Sequence, residues 1–313
     1  MINSVKTGFF SGLRTTWTLG KVIFPVTLIV TILQYTPLLG MLTKLISPFM
    51  KLLGLPGEAA IPLVLGNFLN LYAGIAGILT LDLSVKEVFI LAVMLSFSHN
   101  MLIESGVALK TGVKLWVILT VRIGLAVSSA VIINLVWHGG QEMAQYGFIS
   151  PAAEVSGAAQ VMLHALTKAA AGILQLSIIV IPLMVVIQIM KDLHWLDQFS
   201  KWLAPFTKLL GMKPNASMTL VAGLTIGLAY GAGVMIQAVK EDNVSKKDIT
   251  LAFIFLVACH AVVEDTLIFV PLGIPVLPLL IIRVSVALLL TMAVGFIWNR
   301  SYQTRRKEAA YEQ

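Results

Sequence analysis

The chain alternates long apolar runs with short polar breaks. Residues 22–39, 88–109, 115–137, 169–190, 249–270 and 274–298 are each long enough, at about 18 residues or more, to predict a membrane span. Two shorter pieces, LTKLISPFMKLLG (42–54) and WLDQFSKWLAPFTKLLG (195–211), carry lysines at helical spacing and a proline. They are too short to cross and read as interfacial amphipathic helices. Two further segments are apolar but broken by Gly, Pro or Asn: AAIPLVLGNFLNLYAGIAGIL (59–79) and SMTLVAGLTIGLAYGAGVMI (217–236). Irregular backbone at membrane depth survives only where it is buried in protein or lines a polar cavity.

The pattern occurs twice. An offset of 157 carries Pro25 to Pro182, Pro48-Phe49 to Pro205-Phe206, Gly66 to Gly223 and Gly74 to Gly231. Four residues then enter the second copy, and an offset of 161 carries Lys86 to Lys247, His99 to His260, Glu104 to Asp265, Arg122 to Arg283 and Trp137 to Trp298. Chance apolar similarity does not also match His, Arg, Trp and Pro, so the chain is an internal repeat. Each copy reads as a span, an interfacial helix, a broken segment and two long spans. The expected organisation is an N-terminal segment 1–20, repeat 1 at 21–137, a connector 138–168, repeat 2 at 169–298 and a basic tail 299–313.

Composition fits an all-α polytopic membrane protein: 58% of residues are hydrophobic and 12% charged, about half the charge of a soluble domain. The run 22–39 has no small-residue cleavage site after it and is expected to be a retained span. Lysine and arginine arbitrate topology. With Arg122 and Arg283 set aside as lying inside spans, a cytoplasmic N-terminus and re-entrant broken segments leave only Lys44, Lys51, Lys86 and Lys168 outside, and the other sixteen inside. Crossing segments divide the same charges twelve to eight. The expectation is therefore two inverted repeats in the plasma (inner) membrane, both termini cytoplasmic and the connector outside. Inverted repeats with broken membrane segments are a transporter signature. No basic face with interleaved aromatics points to nucleic acid, and the single cysteine, Cys259, excludes an internal disulfide.

The candidate chemistry lies in two octapeptides, SHNMLIES (98–105) and CHAVVEDT (259–266). Read as continuous helices, both histidines lie thirteen residues past a boundary lysine, roughly 20 Å along and near mid-depth. Ionisable groups there cost about 2.5–3.5 kcal/mol each on insertion scales and need a partner or a role. Hairpin geometry brings Glu104 toward Arg122 and Asp265 toward Arg283, as structural ion pairs. His99, Asn100, His260 and Glu264 remain as candidates for binding solute or protons, with Glu104 and Asp265 beside them. A continuous helix puts Asn100 on one face with Glu104, and His260 on one face with Glu264. Asn67 and Asn70, three apart, with Thr225 and Tyr230, are the candidate polar groups of the broken segments. Histidine and carboxylate suit proton relay, directed hydrogen bonds to a polar solute, or a divalent metal held by Cys259, His260 and His99. Ser98 stands where the second copy has Cys259, which weighs against metal. No constellation of an enzyme is recognisable, and no cofactor is expected.

The paired SHNMLIES and CHAVVEDT elements, each after a Gly-rich broken segment and before an Arg-containing span, resemble the nucleoside-recognition or Gate domain. Such domains occur in concentrative nucleoside transporters, in the membrane part of the bacterial ferrous-iron transporter B family and in spore-maturation-type proteins. The chain looks like two Gate copies. The repeats and the histidine–carboxylate elements together lead to a secondary transporter, proton coupling included, for a small polar solute such as a nucleoside-like compound or an organic anion, with its site between the repeats; the nucleoside is what the resemblance implies. A divalent-metal permease and a non-transporting membrane subunit of a larger complex are the alternatives. The expected partners are the solute or ion and the lipid bilayer, with homo-oligomerisation open.

Overall fold

A computed structural model describes residues 2–146, 157–229 and 231–311. Among them the chain is helical, without strand beyond an isolated antiparallel bridge between Ser84 and Met143. The first repeat comprises α1 (Ile2–Gln34), α2 (Pro37–Leu52), α3 (Ala60–Phe68), α4 (Leu71–Ile78), α5 (Val85–Ser98), α6 (Met101–Lys110) and α7 (Leu115–Val136). The second comprises α8 (Ala158–Asp192), α9 (Trp195–Thr207), α10 (Ser217–Ile226), α11 (Ala232–Glu241), α12 (Lys246–Ala258), α13 (Glu264–Leu267) and α14 (Val276–Tyr311).

The first span is longer than the apolar run suggests, and it is displaced. It begins at Ile2, so most of the stretch 1–20 is part of α1. It ends at Gln34 because Pro37 opens a new helix: Thr36 before it is extended (φ −116°, ψ 150°), as the proline ring requires. The expected span 169–190 likewise grows to Ala158–Asp192. Helix α7 matches the expected 115–137, and α14 opens near the expected 274. The two short amphipathic pieces are α2 and α9, and their large apolar side chains, such as Phe49 and Trp202, are exposed. The middle of the connector, 147–156, lies outside the described residues.

The chain divides into two compact units that cut across the repeats. The first holds Met1–Leu102, Ile123–Leu193 and Val263–Leu280; the second holds Ile103–Arg122, His194–Val262 and Ile281–Gln313.

In the first unit, α1 and α8 pack along their length. A Cβ on Gly8 would lie 2.6 Å from the Val185 Cα, one on Gly12 would lie 2.8 Å from the Ile181 Cα, and one on Gly20 would face Ile173. Steps forward along α1 are equal steps back along α8, so the helices are antiparallel. Gly8-Phe-Phe-Ser-Gly12 is a small-xxx-small face, which lets two backbones approach closely where lipid offers no hydrophobic drive. The register sets residue 18 opposite 175, its own repeat counterpart. Counterpart helices paired antiparallel are what inverted repeats require.

The broken segment of the first repeat is a tight helical hairpin, also in the first unit. A Cβ on Gly74 would lie 3.0 Å from the Gly66 Cα and one on Gly77 3.1 Å from the Pro62 Cα, so α4 runs back along α3. At nine and eight residues neither helix reaches across a hydrocarbon core of about 30 Å. The segment is a hairpin whose two arms are each too short to span. In the second unit α10 and α11 also pack against each other.

Candidate functional site

The octapeptides are breaks in their helices, contrary to the continuous spans 88–109 and 249–270 expected. Helix α5 stops at Ser98 and α6 starts at Met101; α12 stops at Ala258 and α13 starts at Glu264. The pivot is a left-handed residue at the same repeat position, Asn100 (φ 52°) and Ala261 (φ 41°). Asparagine visits this region routinely, whereas alanine sits there at a cost of about 1–2 kcal/mol. The shared helical faces expected for Asn100 with Glu104, and for His260 with Glu264, therefore do not exist.

Both breaks are built alike. The His99 Nδ1 lies 2.7 Å from the Leu95 carbonyl oxygen, and the His260 Nδ1 lies 2.8 Å from that of Leu256. A carbonyl only accepts, so each Nδ1 carries the hydrogen and each ring is fixed against its own helix. The backbone N–H freed at the pivot is satisfied by the broken segment: Asn100 donates to the Gly66 carbonyl (2.8 Å) and Ala261 to that of Gly223 (3.0 Å). Both acceptors are glycines, and a Cβ on either would meet the end of the Leu95 or Leu256 side chain. One local solution thus appears in the first unit with His99 and in the second with His260.

In the second unit the His260 break meets charge from the first repeat. The His260 Nε2 lies 3.3 Å from Glu104 Oε1, and Arg122 Nη1 lies 2.8 Å from Glu104 Oε2. Arg283 donates from Nη2 to the His260 carbonyl at 2.7 Å. Glu104, Arg122, His260 and Arg283 are each 2% exposed or less. With Nδ1 turned to the Leu256 carbonyl, Nε2 is the ring nitrogen that faces the Glu104 carboxylate. Arg122 keeps compensating charge beside the acid.

In the first unit the Tyr72 hydroxyl donates to Glu264 Oε1 at 2.6 Å, both residues being buried. Tyr72 was not evident in the sequence, because its repeat counterpart is Ala229 and the repeat comparison passes over it. Asp265 follows Glu264 in the same unit, whereas Arg283 belongs to the second.

The polar residues of the broken segments have local partners. The Asn67 amide donates to the Leu63 carbonyl at 2.7 Å, and the Asn70 side chain caps α4 by accepting from the Ala73 N–H at 2.9 Å. They flank the turn between α3 and α4 and do not share the helical face expected of them. The Thr225 hydroxyl bonds back to the Val221 carbonyl at 2.6 Å. Tyr230 lies outside the described residues. Cys259 is buried at the end of α12, in extended conformation.

The profile of the nucleoside-recognition family, Gate, matches residues 16–114 and again 173–282, one match to each repeat. The chain belongs to the Gate family. It is also 69% identical over 294 residues, 94% of each chain, to a Bacillus subtilis (strain 168) protein described as "Uncharacterized membrane protein YvoD". No solved structure matches. Two Gate repeats in an all-helical membrane protein are thus established, and each repeat carries one histidine break.

Proposed function

We propose that this Gate protein is a secondary transporter that couples a proton to a small polar solute of the nucleoside or organic-anion class. It is read as a carrier and not an enzyme, in the plasma membrane, with both termini cytoplasmic. The observation that carries this reading is the buried His260–Glu104–Arg122 arrangement at a helix break. An acid and a histidine that hold one proton between them, out of water, form a loadable proton site. A helix interrupted at the same point gives that site a hinge and polar backbone. Solute hydroxyl or amide groups would compete for the Glu104 carboxylate and the His260 Nε2, so that loading the solute and moving the proton become one event.

The test is a melting-temperature screen of the purified protein against nucleosides, organic anions and divalent metals, followed by uptake into proteoliposomes under an imposed pH gradient. Binding raises the melting temperature in proportion to ligand over Kd. A nucleoside or organic anion is expected to stabilise the wild type, with the response at least halved in His260→Ala and pH-dependent between about pH 5 and 8. Uptake indifferent to the gradient and to His260→Ala would overturn the reading.

A further inference from the structure

The two repeats differ at one helix end. In the first unit Phe89 of α5 packs edge-on against Trp137, with ring centroids 5.3 Å apart and planes at 82°. The repeat offset carries Trp137 to Trp298 but Phe89 to Thr250. The second repeat keeps the indole and lacks its aromatic partner. A groove of about 450 Å³ opens beside it, wholly within the second unit.

The walls of the groove are carbon. Val117 and Val121 of α7, Ile254 of α12 and Val294 of α14 line it. The Thr250 hydroxyl is satisfied within α12 by the Lys246 carbonyl at 2.7 Å. Two cations, Lys114 and Lys246, stand among the lining residues, both exposed, with no acid among them. Trp116, Thr120 and Trp298 complete the lining. In the first repeat the position of Lys246 is held by Val85.

We propose that this groove binds an anionic phospholipid, with its phosphate between Lys114 and Lys246 and an acyl chain along Val117, Val121, Ile254 and Val294. Basic pockets between membrane helices recognise anionic headgroups, and tryptophan settles at headgroup depth. Both lysines belong to the lysine-rich side expected to be cytoplasmic, where the leaflet is anionic. The chain length of carbon wall distinguishes a lipid from a soluble anion, which would leave that wall wet.

The experiment uses the full-length protein in neutral detergent. Its melting temperature is followed during titration with phosphatidylglycerol, phosphatidylcholine of the same acyl chains, or glycerol phosphate. Phosphatidylglycerol is expected to raise it, while the other two leave it unchanged. Lys114→Gln and Lys246→Gln should each weaken the apparent affinity about fivefold, and the pair about 25-fold. Thr250→Phe, which restores the plug of the first repeat, should abolish the response. Where Thr250→Phe does not fold, the double glutamine variant decides alone, since both lysines are exposed. Equal stabilisation by phosphatidylcholine, equal stabilisation by glycerol phosphate, or an undiminished response of the double variant would each overturn the proposal.

Discussion

Glu104 of the first repeat and His260 of the second meet 3.3 Å apart inside the second unit, with Arg122 on the far side of the carboxylate. Arg122 is fully buried and Glu104 nearly so. A buried charge that loses its partner costs about 3–5 kcal/mol, whereas removing both charges together is far cheaper. Arg122→Met should therefore lower the melting temperature strongly, and adding Glu104→Gln should recover a substantial part of the loss. The measurement is a detergent-melting double-mutant cycle. Additive losses would show that the pair does not act as one.

The α1–α8 contact yields a graded prediction. Gly12→Leu would push a side chain against the Ile181 backbone, from which even a Cβ is 2.8 Å away. Overpacking of this kind costs about 1–3 kcal/mol or more. Gly20→Ala should be neutral, because its Cβ meets only the end of Ile173, at 3.7 Å. Folded yield and melting of the two variants check the order, and equal effects would count against the antiparallel register.

Ala261 occupies the left-handed region at φ 41°. Ala261→Gly removes the Cβ penalty but adds freedom to the unfolded chain. The net expectation is stabilisation of about 0.5–1 kcal/mol. The equivalent Asn100→Gly should change stability less, since asparagine tolerates this conformation. Thermal melts of the two variants side by side give the comparison.

Inverted repeats make a topological prediction. In a Cys259→Ser background, Gln141→Cys in the exposed connector should react with an impermeant thiol reagent added outside. Thr111→Cys, in the turn between α6 and α7, should react only after permeabilisation. The reverse pattern would invert the assignment of the two faces.

Repeats, interfacial helices and most spans are legible in the sequence because each follows from apolar run length and from His, Arg, Trp and Pro recurring at fixed offsets. The true length of α1 is not, since Lys6 and Arg14 make its start look like a soluble segment. The legible sign is Gly8 and Gly12, whose meaning depends on α8 far along the chain. The breaks at His99 and His260 are hidden for a related reason. No glycine or proline marks either one, and the acceptors that satisfy the freed N–H groups, Gly66 and Gly223, lie in another segment. Asn100 hints at a pivot, while Ala261 does not. The meeting of Glu104 with His260 joins the two repeats, and no pattern within one repeat contains it.

The pairing of α1 with α8 also sets an order of events during synthesis. The glycine face of α1 leaves the ribosome about 170 residues before the part of α8 that covers it, an interval of about 9–34 s at roughly 5–20 residues per second. Throughout that time the first repeat can thread its helices into the bilayer but cannot close its own first contact. A stop codon anywhere before α8 thus leaves a fragment whose glycine surface stays open, a small-xxx-small face of the kind that pairs with a second copy of itself.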